Sequence, residues 1–365
     1  MKFDVIIGNP PWGKSFSDKE IETYKGKFKA TSNKSIESYD LFIEMALGII
    51  RDNGLISYVI PEAILNVAAH ESIRQMLLEK CSFKFISYLG NAFSNILCPC
   101  ILMGIQKSSE PTSIGCLVTI NNNTFMIRNR RNFNPASFYF NITDDENLCL
   151  EEIEGIENSA YLKDNASFAL GIITGNNKEY IANSKLDGYE IILKGNDIRR
   201  YGIREAGNYI KFTPERFQQV APTELYRAKE KLMYRFICDT PVFTYDDKQR
   251  LSLNSCNIVI PCISGLDIKY ILAVLNSSIA HYYISKKFNS LKLLRSHIEQ
   301  LPIPIVSDYE QQNITRYVNL LLDGSGDCYS LYNELDDCIF NLYKLSSNSI
   351  RIIKETLKEK NKHLE

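Results

Sequence analysis

The chain has 365 residues, 45% hydrophobic and 23% charged, with 42 basic side chains against 43 acidic ones and a formal net charge of −1. That length has room for two or three compact units, and no apolar stretch is long enough to span a membrane. The start Met1-Lys2-Phe3-Asp4 carries no secretory signal, and the 10 cysteines lack paired metal spacing, Cys98-Pro99-Cys100 being a lone C-x-C. A cytoplasmic protein with reduced, mostly buried thiols and no metal site is expected.

The first predicted element is Phe3 to Gly8, where Val5, Ile6 and Ile7 read as a fully buried strand of a parallel sheet. Gly8 permits a sharp turn into Asn9-Pro10-Pro11-Trp12, where two prolines fix successive φ angles and stiffen the elbow. The Asn9 side-chain carbonyl and the Pro10 backbone carbonyl can then point to one spot beyond the strand's carboxyl end. Trp12, the only tryptophan, supplies a flat face beside them. Two acceptors and a stacking plane suit an sp² amine such as the exocyclic nitrogen of adenine. Accepting both protons pulls that nitrogen towards a tetrahedral shape and frees its lone pair for attack on an electrophilic methyl group. The bland alternative is an ordinary Pro-Pro turn after a strand.

Ser38-Tyr39-Asp40-Leu41-Phe42 opens a predicted helix with Phe42, Ile43, Ala46, Leu47 and Ile50 at helical spacing, closed by Asn53-Gly54 as a left-handed cap. Leu55 to Ile60 reads as the next buried strand, Glu71 to Lys80 as a helix, and Phe85 to Gly90 as a strand. Ala92-Phe93-Ser94 and the run Cys100 to Ile105 follow. Taken in order from residue 3 to about residue 107, these segments resemble the TaqI-type DNA N6-adenine methyltransferases, including fused restriction-methylase enzymes. The resemblance implies that Asn9, Pro10, Pro11 and Trp12 form the catalytic motif and that Trp12 stacks on a flipped-out adenine. It also implies that Phe93 holds that base from its other side or edge, against a core role under the sheet end. Tyr39, Asp40 and Phe42 would line the edge of a pocket for S-adenosylmethionine. The family's glycine-rich cofactor loop lies upstream of the elbow motif and is not found here. Gly324-Ser325-Gly326-Asp327 reads as a helix connector instead. The expected fold is therefore α/β: the C-terminal half of a Rossmann-like methyltransferase sheet, then an α+β target-recognition domain and a helical tail. A second polypeptide would supply the cofactor-binding half or a nuclease.

Leu117 to Ile120 and Thr124 to Ile127, around Asn121-Asn122-Asn123, read as a hairpin. Residues 141–160 carry seven acids and no Lys or Arg, and read as a structure-poor linker. The boundaries expected are 1–110 for the catalytic-motif half, 111–160 for hairpin and linker, 161–305 for target recognition and 306–365 for the tail. Basic residues gather elsewhere: Lys25, Lys27, Lys29 and Lys34 after the elbow, a run from Lys194 through Lys231 to Arg235, and Lys286 to Arg295. Such segregation can give one basic face in a chain near neutral overall. Solvated helix faces are the plainer reading of any single cluster.

Leu193 to Tyr201, Lys231 to Phe236, Leu253-Asn254-Ser255, Leu275-Asn276-Ser277 and Leu294 to Pro304 resemble, as an ordered set, the TaqI-like specificity domain. Arg199, Arg200, Tyr234, Arg235, Lys287, Lys292 and Arg295 are the candidate contacts to duplex DNA. For His297, a structural role is preferred over a DNA contact. Val242 to Asp247 looks like a strand entering a turn, and Ile268 to Ile284 reads as helix with a break at Asn276-Ser277-Ser278. Three tail helices are predicted over Asp308 to Leu322, Cys328 to Leu345 and Ser347 to Lys360, with Ser347 as the last one's N-cap. Three functions compete: an adenine-N6 DNA methyltransferase or its catalytic-motif and specificity subunit, a catalytically silent DNA-binding subunit, and a methyltransferase acting on protein or RNA.

Overall fold

The computed structural model describes residues 2–31, 36–93, 98–130, 133–135, 138–288 and 290–361. It is a mixed α/β protein that divides into two compact units, Met1–Asn147 and Leu148–Glu365. Among the described residues, no helix is long and apolar enough to cross a membrane.

Six strands form the sheet of the first unit: β1 (Phe3–Gly8), β2 (Ile50–Pro61), β3 (Cys81–Gly90), β4 (Cys100–Lys107), β5 (Leu117–Ile120) and β6 (Asn123–Met126). Their order is β1-β2-β4-β3-β5-β6. β1 runs parallel to β2 and β3 parallel to β5, whereas β4 is antiparallel to both of its neighbours. The β5–β6 hairpin turns where Asn121 and Asn122 take left-handed φ values of 48 and 67, a conformation asparagine tolerates well. Helix α1 (Asp18–Lys25) follows β1, and helices α2 (Ser38–Ile49) and α3 (Glu71–Lys80) cover one sheet face, sharing a core with Ile56, Ile60, Ile86, Met103 and Ile105.

Three sequence expectations change here. β1 is parallel, as read, but it is not fully buried. It lies at the sheet edge, with Phe3, Val5 and Ile7 exposed at 49%, 50% and 79%, while Ile6 turns to the core. An apolar run says nothing about which strand ends a sheet. Second, α2 stops at Ile49, and Asn53 (φ 62) sits in a bulge between the pairs Phe3–Ile50 and Val5–Leu55. Gly54 fits that bulge because a Cβ would lie 2.5 Å from Ile50 Cγ1 and 3.0 Å from two backbone oxygens. Third, the acidic stretch is ordered as the helix Asp144–Glu154. Thr143 and Glu146 cap it reciprocally, at 2.7 and 3.2 Å, and the acids of its first turn suit the positive end of the helix dipole.

The second unit contains an antiparallel sheet ordered Phe243–Asp246, Lys231–Arg235, Cys256–Pro261, Ala166–Ala169. A smaller one joins Leu251–Ser252, Glu190–Leu193, Tyr209–Ile210 and Ile181–Ala182. Helices Ile268–Asn276 and Ser278–Phe288 break where expected. Helices Asp308–Leu322, Cys328–Tyr343 and Ser347–Asn361 follow. The cap of the last is Ser346, whose Oγ accepts the Ser349 N–H at 3.2 Å, one residue earlier than the sequence suggested.

Candidate functional site

At the carboxyl end of β1, Gly8 pairs with Tyr58, and the chain turns through Asn9. Asn9 is exposed, Pro10 buried and Pro11 exposed. Among the described residues the Asn9 amide makes no hydrogen bond, so its carbonyl is open to a ligand. Trp12 is half-buried against the core of the first unit, and its Nε1–H is buried without a partner among the described residues. Phe93, at 38% exposure, meets Trp12 edge-to-face with ring centroids 5.3 Å apart at 76°. Two stacked layers need about 7 Å, twice the ~3.4 Å rise of stacked bases. The two rings as they stand therefore leave no room for a third aromatic layer between them.

The elbow is pinned from below. Ser38, in the first turn of α2, donates its hydroxyl to the Pro11 carbonyl at 2.5 Å. Behind it the Tyr39 hydroxyl lies 2.7 Å from His70 Nε2, and His70 Nδ1 lies 2.8 Å from Asp40 Oδ2. All three side chains are buried, and the Tyr39 and His70 rings stack at 5.1 Å. His70 thus bridges the phenol and the carboxylate through its two ring nitrogens. Burial pushes the Asp40 carboxyl up from its usual range, and the His70 hydrogen bond pulls against that shift. The Tyr39 hydroxyl is likewise pushed up by burial.

These contacts bear on the cofactor assignment. Of Tyr39, Asp40 and Phe42, only Phe42 reaches the surface, at 41% exposure. The polar groups of Tyr39 and Asp40 are turned inward to His70, and Asp40 Oδ1 is enclosed without a partner among the described residues. The two do not fit a surface that holds a cofactor, because the periodic run marked them as helix start without showing which side faced the core.

The basic candidates divide. Lys25, Lys27 and Lys29 are exposed after the elbow, and Lys34 lies outside the described residues. In the second unit Arg199 and Lys292 are exposed, while Arg200 and Arg235 are half-buried. Arg235 donates to the Ile198 carbonyl at 2.6 and 2.9 Å. Arg295 is exposed, pairs with Glu299 at 2.7 Å and lies over the Phe168 ring. Two candidates are corrected. Tyr234 is 2% exposed and packs on Phe243, because it sits on the covered face of a central strand. Lys287 is held by Glu154 at 2.5 Å and by the Tyr283 hydroxyl at 2.6 Å, so its charge is already matched. Lys231, from the same basic run as Arg199 and Arg235, is fully buried against Asp246 at 2.6 Å. Ile237, which no sequence motif marks, is 63% exposed and sits opposite Lys292 in an antiparallel bridge.

Residues 1–94 match the Eco57I restriction-modification methylase family, and residues 190–303 match the TaqI-like C-terminal specificity domain. The chain joins a restriction-modification methylase domain to a TaqI-like specificity domain. It is 31% identical over 205 residues to the type II methyltransferase M.VspI of Vibrio sp. (strain 343), covering 55% of this chain and 49% of that relative. It is 29% identical over 143 residues to the type II restriction enzyme and methyltransferase RM.Eco57I of Escherichia coli, covering 38% of this chain and 12% of the relative. The chain thus spans about half the length, or less, of these curated relatives. Among solved structures, the type IIL restriction-modification enzyme MmeI, described in complex with DNA, shares the fold. Its TM-score is 0.58 at 11% identity, over 97% of this chain and 57% of that one. In the methylase domain the elbow, Phe93 and the Ser38–His70 support all lie within the matched span, and in the specificity domain so do Arg199 to Arg295.

Proposed function

We propose that this chain carries the amine-gripping and DNA-recognition parts of an adenine-N6 DNA methyltransferase of a restriction-modification system, acting on double-stranded DNA in the cytoplasm. The observation that carries the reading is the exposed, unengaged Asn9 amide on a two-proline elbow beside Trp12 and Phe93. Asn9 Oδ1 and the Pro10 carbonyl accept the two protons of a flipped-out adenine amine, and Trp12 stacks on the base while Phe93 bears on its edge. The nitrogen lone pair, withdrawn from the ring, is then free to attack. These acceptors grip the amine most tightly as it becomes tetrahedral and positive, so they favour the transition state over the ground state. Once the new N–C bond has formed, the nitrogen sheds one proton, and no strongly basic side chain is required. S-adenosylmethionine, when bound, would supply the electrophilic methyl, its sulfur keeping the electron pair of the broken S–C bond as the departing thioether.

Tyr39 and Asp40 do not offer that donor a site, which would lie in further polypeptide, in a longer protein or a separate subunit. The free edge of β1 and its exposed row Phe3, Val5 and Ile7 support a join there, since parallel strands are ordinarily covered on both faces. The same reading gives the sheet a partial Rossmann-like character and leaves any DNA cleavage to another polypeptide.

Asn9→Ala tests the assignment in the complete methylating assembly. Methyl transfer to duplex DNA should be abolished while duplex binding is kept. Wild-type methylation by that variant would remove Asn9 from the chemistry.

A further inference from the structure

Just beyond the strand Lys231–Arg235, the chain forms a short two-stranded ribbon with residues 291–293. Ile237 and Lys292 are directly opposed in antiparallel register. The bonds that frame them are Cys238 N–H to the Leu291 carbonyl at 2.9 Å and Leu293 N–H to the Phe236 carbonyl at 2.8 Å. This is a non-hydrogen-bonded pair, so the Ile237 and Lys292 side chains stand close together on one face. The Phe236 N–H is tied to the Ser255 carbonyl at 3.0 Å and Leu293 is buried, which fixes the ribbon to the sheet. Ile237 is nonetheless 63% exposed, with Leu291 at 62% and Leu294 at 40%.

A single exposed isoleucine is ordinary on a protein surface. Its surroundings distinguish this one. Lys292 is on the ribbon itself, and Arg235 and Arg200 are within electrostatic reach of its Cys238. Arg199 neighbours Arg235 and donates to the Asn196 and Ile198 carbonyls, and Arg200 also acts on the Asp336 carboxyl. None of the four forms an ion pair among the described residues. Arg199 lies close enough to disfavour the charge on Arg235 after burial has done so. Cations held without an ion pair can take an anionic partner, and an exposed aliphatic tip beside them calls for an apolar slot in that same partner. Duplex DNA offers both, as phosphates flanking the gap between two base pairs.

Resting on the DNA-recognition reading above, we propose that Ile237 is a wedge that enters between stacked base pairs of duplex DNA, with Lys292, Arg235 and Arg199 holding the flanking phosphates. Proteins that open a base step with an aliphatic wedge meet the unstacking cost from the extra surface the bent duplex then contacts. A duplex whose stack is already broken spares that cost and is bound more tightly.

The test is a titration of the full chain with two short duplexes, identical except for one central mismatch in the second. The wild type should bind the mismatched duplex about tenfold more tightly, a modest share of the few kcal/mol that unstacking costs per step. Ile237→Ala should erase most of that ratio and leave the salt dependence unchanged. Lys292→Ala should keep the ratio, weaken both complexes and lower the salt slope by about one. Ile237 is exposed, so a matching thermal melt identifies an intact fold. A wild-type ratio in Ile237→Ala, or equal affinities for the two duplexes in the wild type, overturns the wedge and leaves DNA recognition standing. No binding of either duplex by the wild type overturns both.

Discussion

The Ser38 hydroxyl donates to the Pro11 carbonyl at 2.5 Å, tying the first turn of α2 to the elbow that presents Asn9. The prolines stiffen the turn internally but do not orient it against the sheet; Ser38 does. Ser38→Ala should cost about 1 kcal/mol of stability, the ordinary worth of one such bond. The larger effect should be local. Trp12 is the single tryptophan, so its emission reports on the elbow alone. Its quenching by acrylamide should rise in Ser38→Ala, with Ser38→Thr restoring it. Unchanged quenching would show that the elbow holds without α2.

The Asp40–His70 contact makes a second, larger prediction. His70→Leu leaves the Asp40 carboxyl, 2% exposed, without its hydrogen-bond partner, and an unsatisfied buried polar group typically costs about 1–3 kcal/mol, more when charged. Burial already raises the folded Asp40 carboxyl above its unfolded value, so the folded state holds the proton more tightly. The stability tied to that proton is fully present below the unfolded pKa and is lost as pH rises through the folded one. The destabilisation by His70→Leu should therefore be smaller near about pH 5 than near about pH 8, read from urea melts of both proteins. An equal penalty at both would mean that Asp40 is not the group left exposed to the loss.

What could be read in advance follows from which signals are local. The elbow, the α2 start, the β5–β6 turn and the helix break at Asn276 all rest on backbone chemistry within a few residues, and they appear where expected. Burial at a distance is different. Val5 and Ile7 look as apolar as Ile56 and Ile60, yet the first pair is exposed and the second pair is core. Lys231 looks as solvated as Lys229, yet only its strand position decides that it meets Asp246 inside the sheet. Ile237 follows a short strand in an irregular segment, so no periodicity marks it as exposed.

Lys231 is the third case to test. Its Nζ donates to Asp246 Oδ2 at 2.6 Å and to the Tyr226 carbonyl at 2.8 Å, with both charged side chains at 0% exposure. Burial pushes the Asp246 carboxyl up, but the Lys231 charge and the Arg250 hydrogen bonds outweigh it and hold the carboxyl below its usual range. Lys231→Met should cost about 3–5 kcal/mol in denaturant melts, since a buried carboxylate loses its main counter-charge. Adding Asp246→Leu should recover much of that loss, because Arg250 keeps Glu205 at 2.8 Å. A double variant no more stable than Lys231→Met would point to packing, not charge, as what Lys231 contributes.

His297 gives the second unit a pH dependence of opposite sign to that of Asp40. It is 7% exposed, and its ring stacks on Phe288 with centroids 4.1 Å apart at 10°. Burial pushes its pKa down to about 4 from an ordinary 6.5. The folded state therefore refuses a proton that the unfolded chain accepts. Stability is fully present above the unfolded value and is lost as pH falls, steadily between about 6.5 and 4. By pH ~5 the loss should be about 2 kcal/mol, at roughly 1.4 kcal/mol for each unit below the unfolded pKa. His297→Phe keeps a flat ring against Phe288 and removes the titration, so its melting temperature should fall less between about pH 7 and pH 5 than that of the wild type. If both proteins lose the same amount over that interval, another buried group sets the acid limb, and His297 is a packing residue with no electrostatic share in it.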